Sequence, residues 1–554
     1  MDLKQLLTTQ VDLKKLITIG IEKINIKTLR ILLLSAFILG ILMLAWQCDD
    51  AFHAYVMAKH LVEGNGFVYH IGERASAATA PLWTLICAGA YFITGEMYLT
   101  TLILCIVFAS LAGFVVLFRL CKTKSQLFFA FLAMTGSPVF MTFTTSGLEN
   151  GFLYFLFTLF MKEYFDSENF NQAKLFKLGF IFTTVALTRM DAVLMLIPSI
   201  CYTFLAKRKK VPFGKAVLIG AICLTPFFLW ELFSLFYYGF LVPNTAYAKL
   251  GSTIPKILYF RKGLHFTINS LINDPTLILI PAFFVGSAIK FRITKFIFPA
   301  VGILLYWFYI IWIGGDFMLG RHFSVLFFLS LTSLLELISS ENIKKTNPLL
   351  PKILRVALCS CLVYVYAIIL SSYFPVNPKF VNKITGTSES YDIDIALVYF
   401  YSPSIDIFSK KHFFSYLCDN AAEYAKTAAA NKWKGSLDTG WGITVFCNSD
   451  LYMTDEFALG DPFLSKMPLA KNRGWQHGDQ WRIGHLYRAV PAGYRETILT
   501  GENMIKDKDL AQYYDVIHEM TSGELFSMKR MTTVIDWNLG KYDYLLENYK
   551  KTLK

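Results

Sequence analysis

The chain has 554 residues, of which 55% are hydrophobic and only 17% charged, with a mean hydropathy of +0.46. Soluble domains carry about 25% charge, so the composition excludes a soluble globular protein and points to a polytopic α-helical membrane protein. The net charge of +13 reflects basic cytoplasmic loops and contact with anionic lipid, and no nucleic acid is expected as a partner.

In chain order, residues 2–28 mix Lys with Leu and Ile at helical spacing (Leu3, Leu6, Leu7, Leu16, Ile17). This predicts a basic amphipathic helix on the membrane surface, a first unit over 1–28. Leu29 to Trp46 is the first span. No small-residue cleavage site follows it, so it reads as an anchor with the N-terminus in the cytoplasm. Pro81 to Thr94 is apolar but only about 14 residues long, short of the roughly 17–25 a span needs. It reads as a juxtamembrane or re-entrant helix in the first outer loop. Counting it as a span would also turn Lys207-Arg208-Lys209-Lys210 outward, against the positive-inside rule.

The further expected spans are Tyr98 to Leu120, Leu127 to Thr145, Gly151 to Tyr164, Leu178 to Leu187, Met190 to Leu205 and Ala216 to Tyr237. A long outer loop, Tyr238 to Asn273, precedes Thr276 to Ile289, Phe296 to Ile313, Phe323 to Ile338 and Ile353 to Tyr373. The total is about eleven spans, ending outside. Residues 29–373 thus form a transmembrane domain. The polar remainder, 374–554, reads as a mixed α/β extracytoplasmic domain. Of the Cys residues only Cys418 and Cys447 fall in that third, where an oxidising compartment would allow a disulfide.

The unusual polar clusters all fall at outer span ends. They are Asp49-Asp50, Thr145 to Asn150, Thr188 to Asp191, Tyr238 to Lys249 and Gly314 to His322. Singly each suits a cap or a turn, and Asp50 alone would cap a helix from Ala51 to Leu61. Together they are lopsided, because the cytoplasmic loops carry plain lysines. A shared outer cavity accounts for that. Adjacent carboxylates repel, but at a bilayer edge they suit holding a metal or taking a proton from a hydroxyl. Arg189, Arg321 and Lys249 suit a phosphate and the charge that builds on a leaving group.

Short blocks in a fixed order resemble the GT-C glycosyltransferases of bacteria, in particular the terminal arabinofuranosyltransferase branch. They are Asp49-Asp50-Ala51-Phe52, Ala58 to Val68, Gly72-Glu73-Arg74, Pro81-Leu82-Trp83, Thr145 to Glu149, Thr188-Arg189, Tyr238 to Lys249 and Gly314 to Arg321. Leu459 to Leu464, Trp481 to His485 and Pro491 to Tyr494 continue the series. Departures are Met190-Asp191, where the family often has Pro and an acid, and Ala78-Thr79-Ala80 before Pro81. The resemblance implies a GT-C fold and sugar transfer from a polyprenyl-phosphate donor to an envelope glycan acceptor, in the bacterial inner membrane. The sugar would be arabinofuranose or another pentose or hexose. It implies an inverting displacement with Asp49 or Asp50 as base, the same pair holding any divalent cation (Mg, Mn or Ca). Arg189, Lys249, Arg321 and His322 are the candidates for the donor phosphate. Glu149, Asn244, Asp316, Trp481 and His485 are the candidates for substrate, with Arg488 beside them. A transporter or flippase of lipid-linked saccharides is the alternative, but it would place ionisable groups near the midplane. A non-catalytic glycan sensor leaves the Asp pair without a task.

Overall fold

Runs of Leu, Ile and Phe dominate the chain, and they form helices that keep many apolar side chains on their outward faces. The computed structural model describes residues 24–166, 170–206, 210–250, 254–340, 423, 425–437, 442–473, 476 and 481–553. The expected surface helix over 1–28, for the most part, and the expected span at 353–373 lie outside them.

The first helices are α1 (Ile26–Met43), α2 (Asp49–Val62), α3 (Pro81–Thr94) and α4 (Tyr98–Val115), the last prolonged by a π turn (Val116–Leu120). Then come α5 (Lys124–Thr135), α6 (Pro138–Phe143), α7 (Asn150–Phe165) and α8 (Gln172–Thr188). A 3-10 turn (Met190–Met195) leads to α9 (Ile197–Ala206), α10 (Phe213–Tyr237), α11 (Asn244–Leu250) and α12 (Lys256–Asn273). The helices α13 (Thr276–Phe291), α14 (Thr294–Ile313) and α15 (Arg321–Ser339) follow. Among the described C-terminal residues are β1 (Gly435–Ser436), α16 (Gly442–Cys447), β2 (Tyr452–Met453), α17 (Tyr494–Thr500), α18 (Lys508–Ser522), α19 (Met528–Asn538) and α20 (Asp543–Thr552). β1 and β2 pair in parallel over two residues each, so helix predominates in this described part.

Among the described residues five helices are long and apolar enough to cross a membrane: α1, α4 with its π turn, α10, α14 and α15. α12 and α13 meet the same test together but bend by 104° at Asp274-Pro275. By length alone this gives five or six spans where the sequence suggests about eleven. The expected leg Leu127 to Thr145 is broken. Pro138 opens α6, lacks an N–H and pushes Ser137 out of helical geometry. Asp274 holds the break, its Oδ2 accepting from Ser137 Oγ (2.6 Å) and Val139 N (3.1 Å). The expected leg Met190 to Leu205 opens as the 3-10 turn, and the segment after α10, expected as a long loop, contains α11 and α12. Pro81–Thr94 has the expected bounds, with Pro81 in its first turn and Gly95 closing it in the left-handed region.

The main apolar core joins α1 to α15 through side chains such as Phe37, Phe52, Phe140, Phe327 and Leu334. A second core mixes Val56 of α2, and Phe67 and Tyr69 of the segment before α3, with Phe240 and with C-terminal Met453, Phe463 and Tyr513. The C-terminal residues therefore fold onto the loop that carries the acid pair. Close backbone packing fixes the other side. A Cβ on Gly302 of α14 would lie 2.1 Å from the carbonyl oxygen of Met195, in the 3-10 turn. Gly302→Ala should lower stability by about 1–3 kcal/mol, read as a lower thermal midpoint of the detergent-solubilised protein. Gly286→Ala, inside α13 with nothing within 4 Å of its Cβ, should leave the midpoint unchanged or raise it.

Candidate active site

The site forms where helix ends meet. Asp49 and Asp50 occupy the first turn of α2, where a negative charge suits the helix N-terminus. The N-cap is Cys48, so Asp50 is not the cap that the sequence allows. The two carboxylates have different partners. Asp49 accepts the N–H groups of Gly442 and Ile443, both at 2.9 Å, which fastens the start of α16 onto α2. A Cβ on Gly442 would fall 2.3 Å from the Asp49 carbonyl oxygen, so only glycine permits this approach. Asp50 faces Arg321 at 3.6 Å.

Behind Asp50 lies a buried ion cluster. Glu149, before α7, binds Arg189 Nη1 at 2.7 Å and faces Arg321 Nη2 at 3.6 Å. The turn before it needs Gly147 at φ +81°, where a Cβ would fall 2.4 Å from Tyr55 Oη. Tyr55 and Trp83 both donate to the Gly147 carbonyl, at 3.1 and 3.0 Å. Arg189 also holds Asp191 through Nε at 2.8 Å and meets His322 Nδ1 at 3.1 Å. A guanidinium only donates, so Nδ1 is the acceptor and Nε2 carries the hydrogen. Nε2 faces Asp316 Oδ2 at 3.4 Å. Tyr306 Oη lies 3.3 Å from Asp191 Oδ2. Arg321 is surrounded by Asp50, Glu149 and Asp316, at 3.6, 3.6 and 3.8 Å. Among the described residues its Nε and Asp316 Oδ2 make no hydrogen bond.

Lys249, at the end of α11, makes no hydrogen bond or ion pair among the described residues. Its Nζ would lie 3.7 Å from a Cβ placed on Gly484. Burial pushes the Asp50 carboxyl up, but Lys249 and Arg321 outweigh it and hold it below the ordinary carboxylate range. His485 packs edge-on against Phe317 and Phe457, and burial drives its imidazole down to about 3. It is therefore neutral beside Asp50.

Asn244, Trp481 and Arg488 lie apart from this chemistry. Asn244 Nδ2 donates to the carbonyls of Ala458, Leu459 and Asp461, at 2.9, 3.1 and 2.9 Å, fixing a C-terminal loop. Trp481 is buried against Tyr259 and Leu486, with Lys262 over its ring, so it offers no face for a sugar. Arg488 donates to the carbonyls of Met467, Tyr247 and Ala248 and anchors α11.

Two residues at the site were not singled out from the sequence. His53 lies one turn past the acid pair, at i+4 from Asp49 and i+3 from Asp50, and that spacing was a readable signal. Its Nδ1 lies 2.7 Å from Tyr69 Oη. Asp455, whose carboxyl burial lifts to about 7, approaches Asp49 from the C-terminal side, which no local pattern announces. Asp49, Asp50 and His53 each offer a ligand atom, all within 4.8 Å of one another, and this oxygen and nitrogen set fits a divalent cation.

No protein-family model matches the chain. It is 28% identical over 225 residues to the terminal β-(1→2)-arabinofuranosyltransferase of Mycobacterium tuberculosis. The chain resembles a GT-C glycosyltransferase. The match takes in 37% of this chain and spans only about a third (35%) of that relative's length. The crystal structure of ArnT from Cupriavidus metallidurans bound to undecaprenyl phosphate aligns with 78% of this chain and 87% of its own, at 12% identity and a TM-score of 0.47.

Removing one partner of a buried ion cluster strands the others. Arg189→Met should cost about 3–5 kcal/mol by taking the closest cation from Glu149 and Asp191, measured by unfolding in detergent. Lys249→Met removes a cation that offsets the burial of Asp50 but breaks no hydrogen bond, and should cost less, about 1 kcal/mol.

Proposed function

We propose that the protein is a GT-C type glycosyltransferase that moves a sugar from a polyprenyl-phosphate donor to a hydroxyl of an envelope glycan or lipid-linked acceptor. Asp50 is the base. It takes the proton of the acceptor hydroxyl as that oxygen attacks the anomeric carbon. The bond from that carbon to the phosphate oxygen breaks on the opposite face, with inversion. Lys249 and Arg321 meet the charge left on the polyprenyl phosphate. Arg189, Glu149 and Asp316 hold Arg321 and His322 in place, and neutral His485 offers the acceptor a hydrogen bond.

The observation that carries this reading is the division of labour in the acid pair. Asp49 is engaged by two backbone N–H groups, whereas Asp50 is kept ionised beside two cations. A divalent cation held by Asp49, Asp50 and His53 would polarise the phosphate or the hydroxyl. The ionisable groups gather at helix ends, which favours transfer over transport. The name of the curated relative supports arabinofuranose as one candidate sugar.

For orientation we keep the domain division read from the sequence, at 1–28, 29–373 and 374–554, with the site and the C-terminal part outside the inner membrane. Cys447 is disulfide-bonded, which suits an oxidising compartment. Cys418 lies outside the described residues. Reporters fused after Lys209 and after Ser388 should report cytoplasm and outside respectively; the reverse would overturn the orientation.

Asp50→Asn should reduce sugar transfer in membranes by about 10²–10⁴-fold, with a thermal midpoint lowered by less than in Arg189→Met. Transfer at the parental rate would end the proposal. Asp49→Asn should lose part of the activity together with stability, since an amide accepts from only one of its two heads.

A further inference from the structure

α19 has two opposed faces. Arg530, Thr533, Val534 and Trp537 turn inward, while Met528, Met531 and Ile535 form an outward apolar stripe at helical spacing, continued by Leu539. Phe526, just before the helix, is 76% exposed and Leu539 is 79% exposed. In water such a stripe is a liability.

Its location says what covers it. α10 is a span that turns most of its surface outward, with Phe228, Leu229 and Leu232 exposed near its C-terminal half. α19 is tied to the last turn of that span. Arg530 Nη2 donates to the Tyr237 carbonyl at 2.8 Å, and Asn538 Nδ2 donates to the Gly239 carbonyl at 2.9 Å. The ring of Phe526 lies 5.6 Å from that of Phe236 in α10. The apolar surface thus continues without a break from a lipid-facing helix onto the C-terminal part, at the level where α10 leaves the membrane. Leu241 and Val242, exposed in the next loop, extend it.

We propose that α19 is an interfacial helix: Phe526, Met528, Met531, Ile535 and Leu539 rest in the boundary between head groups and acyl chains, in the leaflet where α10 ends. Helices of this kind sink about 5–10 Å into that boundary. The flanking lysines are already paired, Lys529 with Glu519 at 2.6 Å and Lys541 with Asp536 at 2.7 Å. The seat is therefore apolar and independent of lipid charge. Through Gly239 and Tyr237 it sets the depth of the segment that leads to α11 and Lys249. The inference does not depend on the sugar-transfer reading.

The test uses the full chain in phosphatidylcholine nanodiscs, with a nitroxide on Ile535→Cys or on the water-facing control Glu547→Cys. The unsubstituted chain labelled in parallel gives the background. Collision with oxygen should exceed collision with a nickel chelate several-fold at position 535, and the order should reverse at 547. Adding anionic lipid should change neither ratio. Nickel access at 535 equal to that at 547 overturns the proposal. So does shielding of 535 from both reagents, whether by a second copy or by the chain itself. A signal at 535 that becomes lipid-like only with anionic lipid overturns it as well.

Discussion

A carboxylate taken out of water must find cations, and Glu149 shows what that demands. Its side chain is almost wholly buried between Arg189 and Arg321. Unpaired, a charge there would cost several kcal/mol. Each arginine brings further acids with it: Asp191 for the first, Asp50 and Asp316 for the second. These groups come from α2, the turn before α7, the end of α8, the 3-10 turn, the loop after α14 and the start of α15. Charge pairing thus binds six separate pieces of chain at one helix-end junction. Arg189, with each of its nitrogens engaged, is a brace. Arg321, held only at 3.6–3.8 Å by its acids, retains capacity for another anion.

The same constraint separates two neighbouring aspartates. One residue of rise and 100° of rotation turn Asp49 toward the C-terminal part and Asp50 toward the cations. The first becomes an anchor for α16, and the second remains available for a proton. Adjacent identical side chains therefore need not share a role, and their environment decides which one stays free of backbone partners.

Much of the architecture was legible in the sequence because lipid imposes long apolar runs. Pro81–Thr94 and Tyr98–Leu120 follow their expected bounds to the residue. Charge asymmetry in the sequence groups Asp49, Asp50, Glu149, Arg189, Asp316, Arg321 and His322 at one set of helix ends, and the structure gathers them. What failed did so for tertiary reasons. Ser137-Pro138 interrupts an apolar run whose hydropathy hides the break, and Asp274 stabilises it from far along the chain. Asn244 and Trp481 carry residue types that suit sugars, but partners distant in sequence commit them to structure. His53 was missed although its helical spacing from the acid pair was visible. The preference between Asp49 and Asp50 depended on Gly442, which no local pattern connects with α2.

That connection joins residues 393 positions apart. Ribosomes add about 5–20 residues per second, so the carboxylate of Asp49 waits roughly 20 to 80 s for its backbone partners to be made. During that interval the nascent polypeptide already exposes its acidic turn, but the piece that fastens it has not been translated. The junction is therefore a late product of biosynthesis, and a chain released early would carry the acid pair without its clamp.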